Sequence, residues 1–120
     1  MRRIFLTFAI VAASILPARA LDVGDTIRMK LGHPVAACSQ LDDAKWMHQT
    51  TRYAFEADAF MSHINYRTPG RACSWLIYDH GDYVVEAKEA DGPEGAWYCV
   101  QGVAQKMREC MWMFGREPVK

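Results

Sequence analysis

Cysteines, histidines and paired carboxylates are the side chains of this chain that could do chemistry. The four cysteines stand at 38, 73, 99 and 110. A thiol nucleophile needs a free cysteine beside an imidazole. An even cysteine count in a small exported domain reads instead as two disulfides. Zinc is the competing use, but Cys-x-x-Cys knuckle spacing does not occur. The four histidines are His33, His48, His63 and His80. No His-x-x-x-His pair is present, and His48 and His63 are too far apart to share a metal on a straight helix. His33 and His80 fall in turn-like sequence, where a solvated imidazole is the expectation. The acidic pairs are Asp42-Asp43, Asp79/Asp82 and Glu86/Glu89. Glycoside hydrolysis needs two carboxylates facing across a cleft. These pairs are local and read as solvated charges, with Asp42 and Asp43 placed to complement a helix N-terminus. A Gly-x-Ser-x-Gly elbow and a Gly-Lys-Ser/Thr phosphate loop are both absent. The expectation is a protein that is not an enzyme and holds no metal or cofactor.

Positioning elements come next. Residues 38–73 hold a long amphipathic helical segment between two cysteines. Trp46, Tyr53, Ala57, Phe60 and Ile64 recur at the spacing of one helix face, interrupted only by Thr50. Ser39 and Asp42 have capping-box spacing. Thr50-Thr51-Arg52-Tyr53 is the weak point, because β-branched residues lower helix propensity. One kinked helix and two helices both remain open. Pro69-Gly70 marks the turn beyond.

The rest of the chain reads as strand and turn. Thr26-Ile27-Arg28-Met29-Lys30 alternates, and residues 35–38 form a short extended piece. Residues 72–78 and 83–88 are rich in strand formers and flank the turn Asp79-His80-Gly81-Asp82. Residues 90–95 are the strongest loop signal. Two apolar segments follow, at 96–100 and 110–114, and residues 115–120 read as a polar tail. If those two segments form a hairpin, Cys99 and Cys110 come within disulfide reach across it. Cys38 and Cys73 then close the helical segment, and such a loop stabilises by roughly 3–4 kcal/mol. Four cysteines allow three pairings, and a 38–99 or 38–110 link would overturn this one.

The order of elements predicts an α+β fold. The expectation is a small SH3-like β-barrel of five to six short strands, with the helical insertion between the N-terminal strands and the rest. Trp46, Trp75, Trp97 and Trp112 are the expected bulky fillers.

Residues 1–20 are set apart. Met1-Arg2-Arg3 is basic, residues 4–16 are apolar, and Pro17-Ala18-Arg19-Ala20 has the small-x-small pattern of a signal-peptidase site. Cleavage after Ala20 is predicted, leaving residues 21–120 as one domain. Removing Arg2, Arg3 and Arg19 takes the 14 basic residues to 11 against 14 acidic, a net charge of −3. A mildly acidic domain has no electrostatic reason to seek nucleic acid or anionic membrane. No second stretch reads as a membrane span. A periplasmic or secreted location follows.

Several short stretches resemble a group of small exported proteins of alphaproteobacteria. They are Gly24-Asp25, Ala37-Cys38, Ala57-Asp58-Ala59-Phe60, Gly70-Arg71-Ala72-Cys73, Gly81-Asp82-Tyr83-Val84-Val85, Cys99-Val100 and Cys110-Met111-Trp112. The resemblance implies an SH3-like barrel with a helical insertion, and a disulfide pattern. It implies no activity. Arg52-Tyr53-Ala54-Phe55 stands where the group has a polar-glycine break, and Gln101 stands where it has a charged residue.

Aromatic residues are the remaining signal. Phe55 lies opposite the helix stripe. Alternation cannot hide Trp97, Tyr98 and Cys99 on one face together. Phe55, Trp97 and Tyr98 are therefore the candidate binding surface, since exposed apolar patches mark contact sites. The expected function is a small binding or interaction module for a peptide, a cell-wall glycan or another envelope protein. The alternative is an enzyme inhibitor acting through the 90–95 loop.

Overall fold

A computed structural model of the chain describes residues 21–92 and 95–116. Residues 1–20, where the predicted signal segment falls, loop positions 93 and 94, and residues 117–120 lie outside the described residues.

Among the described residues, six antiparallel strands form one sheet curled into a half-barrel. They are β1 (Thr26–Ile27), β2 (Val35–Cys38), β3 (Cys73–Leu76), β4 (Tyr83–Ala90), β5 (Gly95–Gly102) and β6 (Met111–Arg116). The order across the sheet is β1-β4-β5-β6-β2-β3, so β1 and β3 are the edges. Helices α1 (Leu41–Thr50) and α2 (Ala54–Arg67) sit between β2 and β3 in sequence. The α+β class and the helical insertion are as expected. The first strand is shorter than its alternating sequence suggested. Gly115 and Arg116, expected in a tail, extend β6 by pairing with Ala96 and Gly95.

The helical segment is two helices, and threonine ends the first. The hydroxyls of Thr50 and Thr51 donate to the carbonyls of Trp46 and Met47, at 2.8 and 2.7 Å. Those bonds occupy carbonyls at the helix end and leave Thr51 extended. Glu56 then starts α2 by accepting the backbone N–H groups of Arg52 and Tyr53. The break resets the helical phase. Ala44 and Met47 face the sheet from α1, and Ala57, Met61 and Ile64 from α2. Trp46 and Tyr53, expected on the buried stripe, are 56 % and 59 % exposed instead. The Ser39–Asp42 capping box does not form. Gln40 is the N-cap, and the Ser39 hydroxyl accepts the Ala72 N–H at 3.0 Å across the β2–β3 lead-in. Asp43 is not solvated either. It is 2 % exposed and takes a two-point ion pair from Arg71, tying the start of α1 to the approach of β3. That hydrogen bonding raises the Arg71 guanidinium above its ordinary pKa, against the opposing effect of desolvation.

Both disulfides join neighbouring strands or their ends. Cys38 and Cys73 are direct cross-strand partners with Cα atoms 3.9 Å apart. Cys99 bonds Cys110 at the foot of the β5–β6 hairpin, and opposite Cys99 in the ladder stands Trp112.

The sheet carries apolar side chains on both faces. The curled face packs Tyr83, Val85, Tyr98, Val100, Met111 and Met113. Its counterpart packs Trp75, Trp97, Trp112 and Phe114 under the helices. Gly115 lies beneath the Tyr98 ring, where a Cβ would come within 2.6 Å of it. These two layers correct the expectation for Trp97 and Tyr98. Alternation sends them to opposite faces, both faces are covered, and each residue is 2 % exposed.

Candidate functional site

An open groove of about 700 Å³ lies where the helical layer stops short of the β2–β3 end of the sheet. Its floor is Trp75 and Ile77, and its walls are residues 32–34 on one side and Ala54, Phe55 and Asp58 of α2 on the other.

Each part has a local cause. β3 alternates, so Cys73 and Trp75 face the helices while Leu76 enters the curled core. The break at residues 51–53 leaves Phe55 in the first turn of α2, pointing away from the Ala57–Met61–Ile64 stripe. Phe55 is 72 % exposed and stacks on Tyr53, with ring centroids 5.7 Å apart. One turn on, Asp58 accepts the Trp75 indole N–H at 3.1 Å. That bond fixes the ring in the floor and satisfies its polar edge. None of the ion pairs among the described residues uses Asp58. The far end of α2 is tied down by Asn65, whose amide both donates to the Cys73 carbonyl and accepts the Cys73 N–H.

Of the residues singled out from sequence, Phe55 is on the surface and lines this groove. Trp97 and Tyr98 are core. The Trp97 indole donates to Asp91 at 2.7 Å and so braces the start of the 90–95 loop. Positions 93 and 94 of that loop lie outside the described residues. Trp75, expected as a core filler, and Ile77 and Asp58 are groove residues that sequence reasoning does not single out. The signal pointing to them was a tryptophan in a strand followed by a turn, with an acid and an aromatic three apart on the preceding helix.

Two smaller features lie elsewhere among the described residues. His80 is exposed in its turn, as expected, and its Nδ1 lies 2.8 Å from the Tyr83 hydroxyl, which ties the ring to the curled sheet. Burial raises the Tyr83 pKa above its ordinary value, partly offset by a backbone hydrogen bond from Ile77. Trp46 and Phe60 make an edge-to-face pair on the outer side of the helices, 5.7 Å between centroids.

Comparisons with protein-family models, curated proteins and solved structures return no match.

Proposed function

We propose that this chain is an exported, disulfide-stabilised binding module of SH3-like type that takes its ligand in the Phe55–Trp75 groove, and that it does not act as an enzyme. The observation that carries the reading is an aromatic ring, Phe55, held 72 % exposed in the wall of a groove floored by a tryptophan. Water-exposed rings of this size cost apolar surface that a core position would bury. Two disulfides fit an oxidising compartment, and residues 1–20 carry the pattern of a secretory signal. The ligand classes that suit an aromatic groove with one carboxylate are an envelope peptide, a cell-wall glycan and a segment of another envelope protein.

The test is a ¹⁵N-detected titration of the oxidised protein with muropeptides and with blocked peptides. The Trp75 indole N–H is a built-in reporter, since it sits in the floor on Asp58. Shifts concentrated on that indole and on residues 54–58, and lost in Phe55→Ala, are expected. Shifts confined to other surfaces, with the indole unmoved, would overturn the reading.

A further inference from the structure

We infer that the groove takes an extended peptide, paired as an added strand on the open edge of β3, with a basic side chain directed at Asp58. This rests on the groove being the binding site and names its ligand class.

The backbone register carries the inference. Ser39 N–H bonds the Ala72 carbonyl at 2.7 Å, so Ser39 and Ala72 are a hydrogen-bonded pair. Hydrogen-bonded and non-hydrogen-bonded pairs alternate along an antiparallel ladder. Cys38 and Cys73 are then a non-hydrogen-bonded pair, in keeping with their close Cα spacing of 3.9 Å. The N–H and C=O of Cys73 point outward, away from β2, and Asn65 meets both with its side-chain amide at 2.7 and 2.9 Å. That amide occupies the place a neighbouring strand's peptide group would take. Two residues on, Trp75 lies opposite Ala36 and has the same parity as Cys73. Its N–H and C=O also point to the edge. β3 is last in the sheet order, so no strand among the described residues lies beyond it. Asn65 therefore covers one position of this edge, and Trp75, at the next, lines the groove.

An edge strand flanked by a helix, with a pocket for alternate side chains, is the geometry of strand addition. Side chains of an added strand that share the face of Trp75 would point toward α2, where Phe55 and Asp58 stand. Asp58 has one oxygen on the Trp75 indole and no cationic partner among the described residues. A lysine or arginine there would meet a carboxylate and two aromatic rings together, an aromatic and acidic setting suited to a cation with an apolar stem.

The test uses the oxidised protein and three kinds of probe. The peptide Ac-Val-Lys-Val-Lys-Val-NH2 is compared with its Glu-for-Lys counterpart. Two N-methylated isomers, one blocked at the lysines and one at the valines, remove the N–H groups of one edge at a time. Muropeptide fragments form the third arm. The lysine peptide should bind at least about tenfold more tightly than the glutamate peptide, and Asp58→Asn should shrink that ratio. One N-methylated isomer should lose binding and the other keep it, and the Trp75 backbone amide should gain protection from exchange on binding. If the lysine peptide moves the Trp75 indole but leaves its amide exchange unchanged and both isomers bind, strand addition is wrong and the groove reading stands. If only muropeptides move the indole, the peptide class is wrong and the groove again stands. If no probe moves it, both fail.

Discussion

On its curled face the sheet packs Tyr83, Val85, Tyr98 and Val100 against one another, each exposed by 2 % or less. On the opposite face two helices lie over Trp75, Trp97, Trp112 and Phe114, and of these only Trp97 is fully buried. A curled sheet wraps its inner face upon itself, and the inner side chains pack one another there. A pair of helices covers a sheet only as far as its side chains reach, and here the pair is broken at residues 51–53. The uncovered part is the groove. Stability should therefore concentrate on the curled face and contact chemistry on the helix face. That division can be broken by experiment.

Tyr98→Ala should give the largest effect. Removing a buried aromatic side chain costs about 3–5 kcal/mol, a large share of the usual 5–15 kcal/mol of net stability. Chemical denaturation reads it, and a loss under about 1 kcal/mol would mean that the curled face is not the stabilising one. Next come the disulfides. Replacing Cys38 and Cys73 together by alanine should cost about 2–4 kcal/mol. Replacing Cys99 and Cys110 should cost about 1 kcal/mol less, since the closed loop spans 11 residues rather than 35. Equal losses would show that the helical layer gains nothing special from its staple.

Much of the frame could be read from residue types, and the failures share a cause. A weak point at Thr50-Thr51 is legible from β-branching alone, which leaves one kinked helix and two helices both open; the hydroxyl bonds to the carbonyls behind them make it two. The disulfide partners followed from apolar segments on either side of a short connector. Alternation with one wet face leaves Trp97 and Tyr98 unable to share a buried side, and so puts aromatic surface in solvent. A sheet covered on both faces reads as a continuous apolar run, which residues 96–100 are. Ser39, Asp43 and Asn65 were misjudged or passed over for a related reason. Their partners Ala72, Arg71 and Cys73 are close only after the chain returns from α2. Short-range patterns such as a capping box have no access to that return. Trp75 shares only the second error: its alternation is right, but the sheet order that makes β3 an edge is a tertiary fact.

Tyr83→Phe tests the curled face more gently. The variant keeps the ring and loses the hydroxyl contact to His80, so at neutral pH the cost should be about 0.5–1.5 kcal/mol. Its signature lies at high pH. Burial raises the folded-state pKa of Tyr83 above the ordinary 10.0. The folded state then holds its proton where the unfolded state has lost it, so stability is fully present below pH 10.0 and falls as pH climbs beyond it. Denaturation midpoints measured through that range should fall more steeply in the native protein than in Tyr83→Phe. Parallel curves would mean that the hydroxyl is not shielded.

Phe55→Ala should have the smallest effect on stability and the clearest one on binding. Phe55 stands 72 % exposed and touches Tyr53, itself 59 % exposed, so truncation opens no core cavity. Surface changes of this kind stay within about 0.5 kcal/mol. Alanine also favours the first turn of α2 more than phenylalanine does, by a few tenths of a kcal/mol. The Glu56 bonds that start the helix use backbone N–H groups of Arg52 and Tyr53 and survive the change. What is lost is one wall of the groove, beside Asp58 and over Trp75. Denaturation and ligand titration on the same sample separate the two faces in one experiment. An unchanged midpoint with lost binding places contact on the helix face alone. A midpoint lowered by more than about 1 kcal/mol would make Phe55 part of the fold, and the proposed division between the faces would not hold.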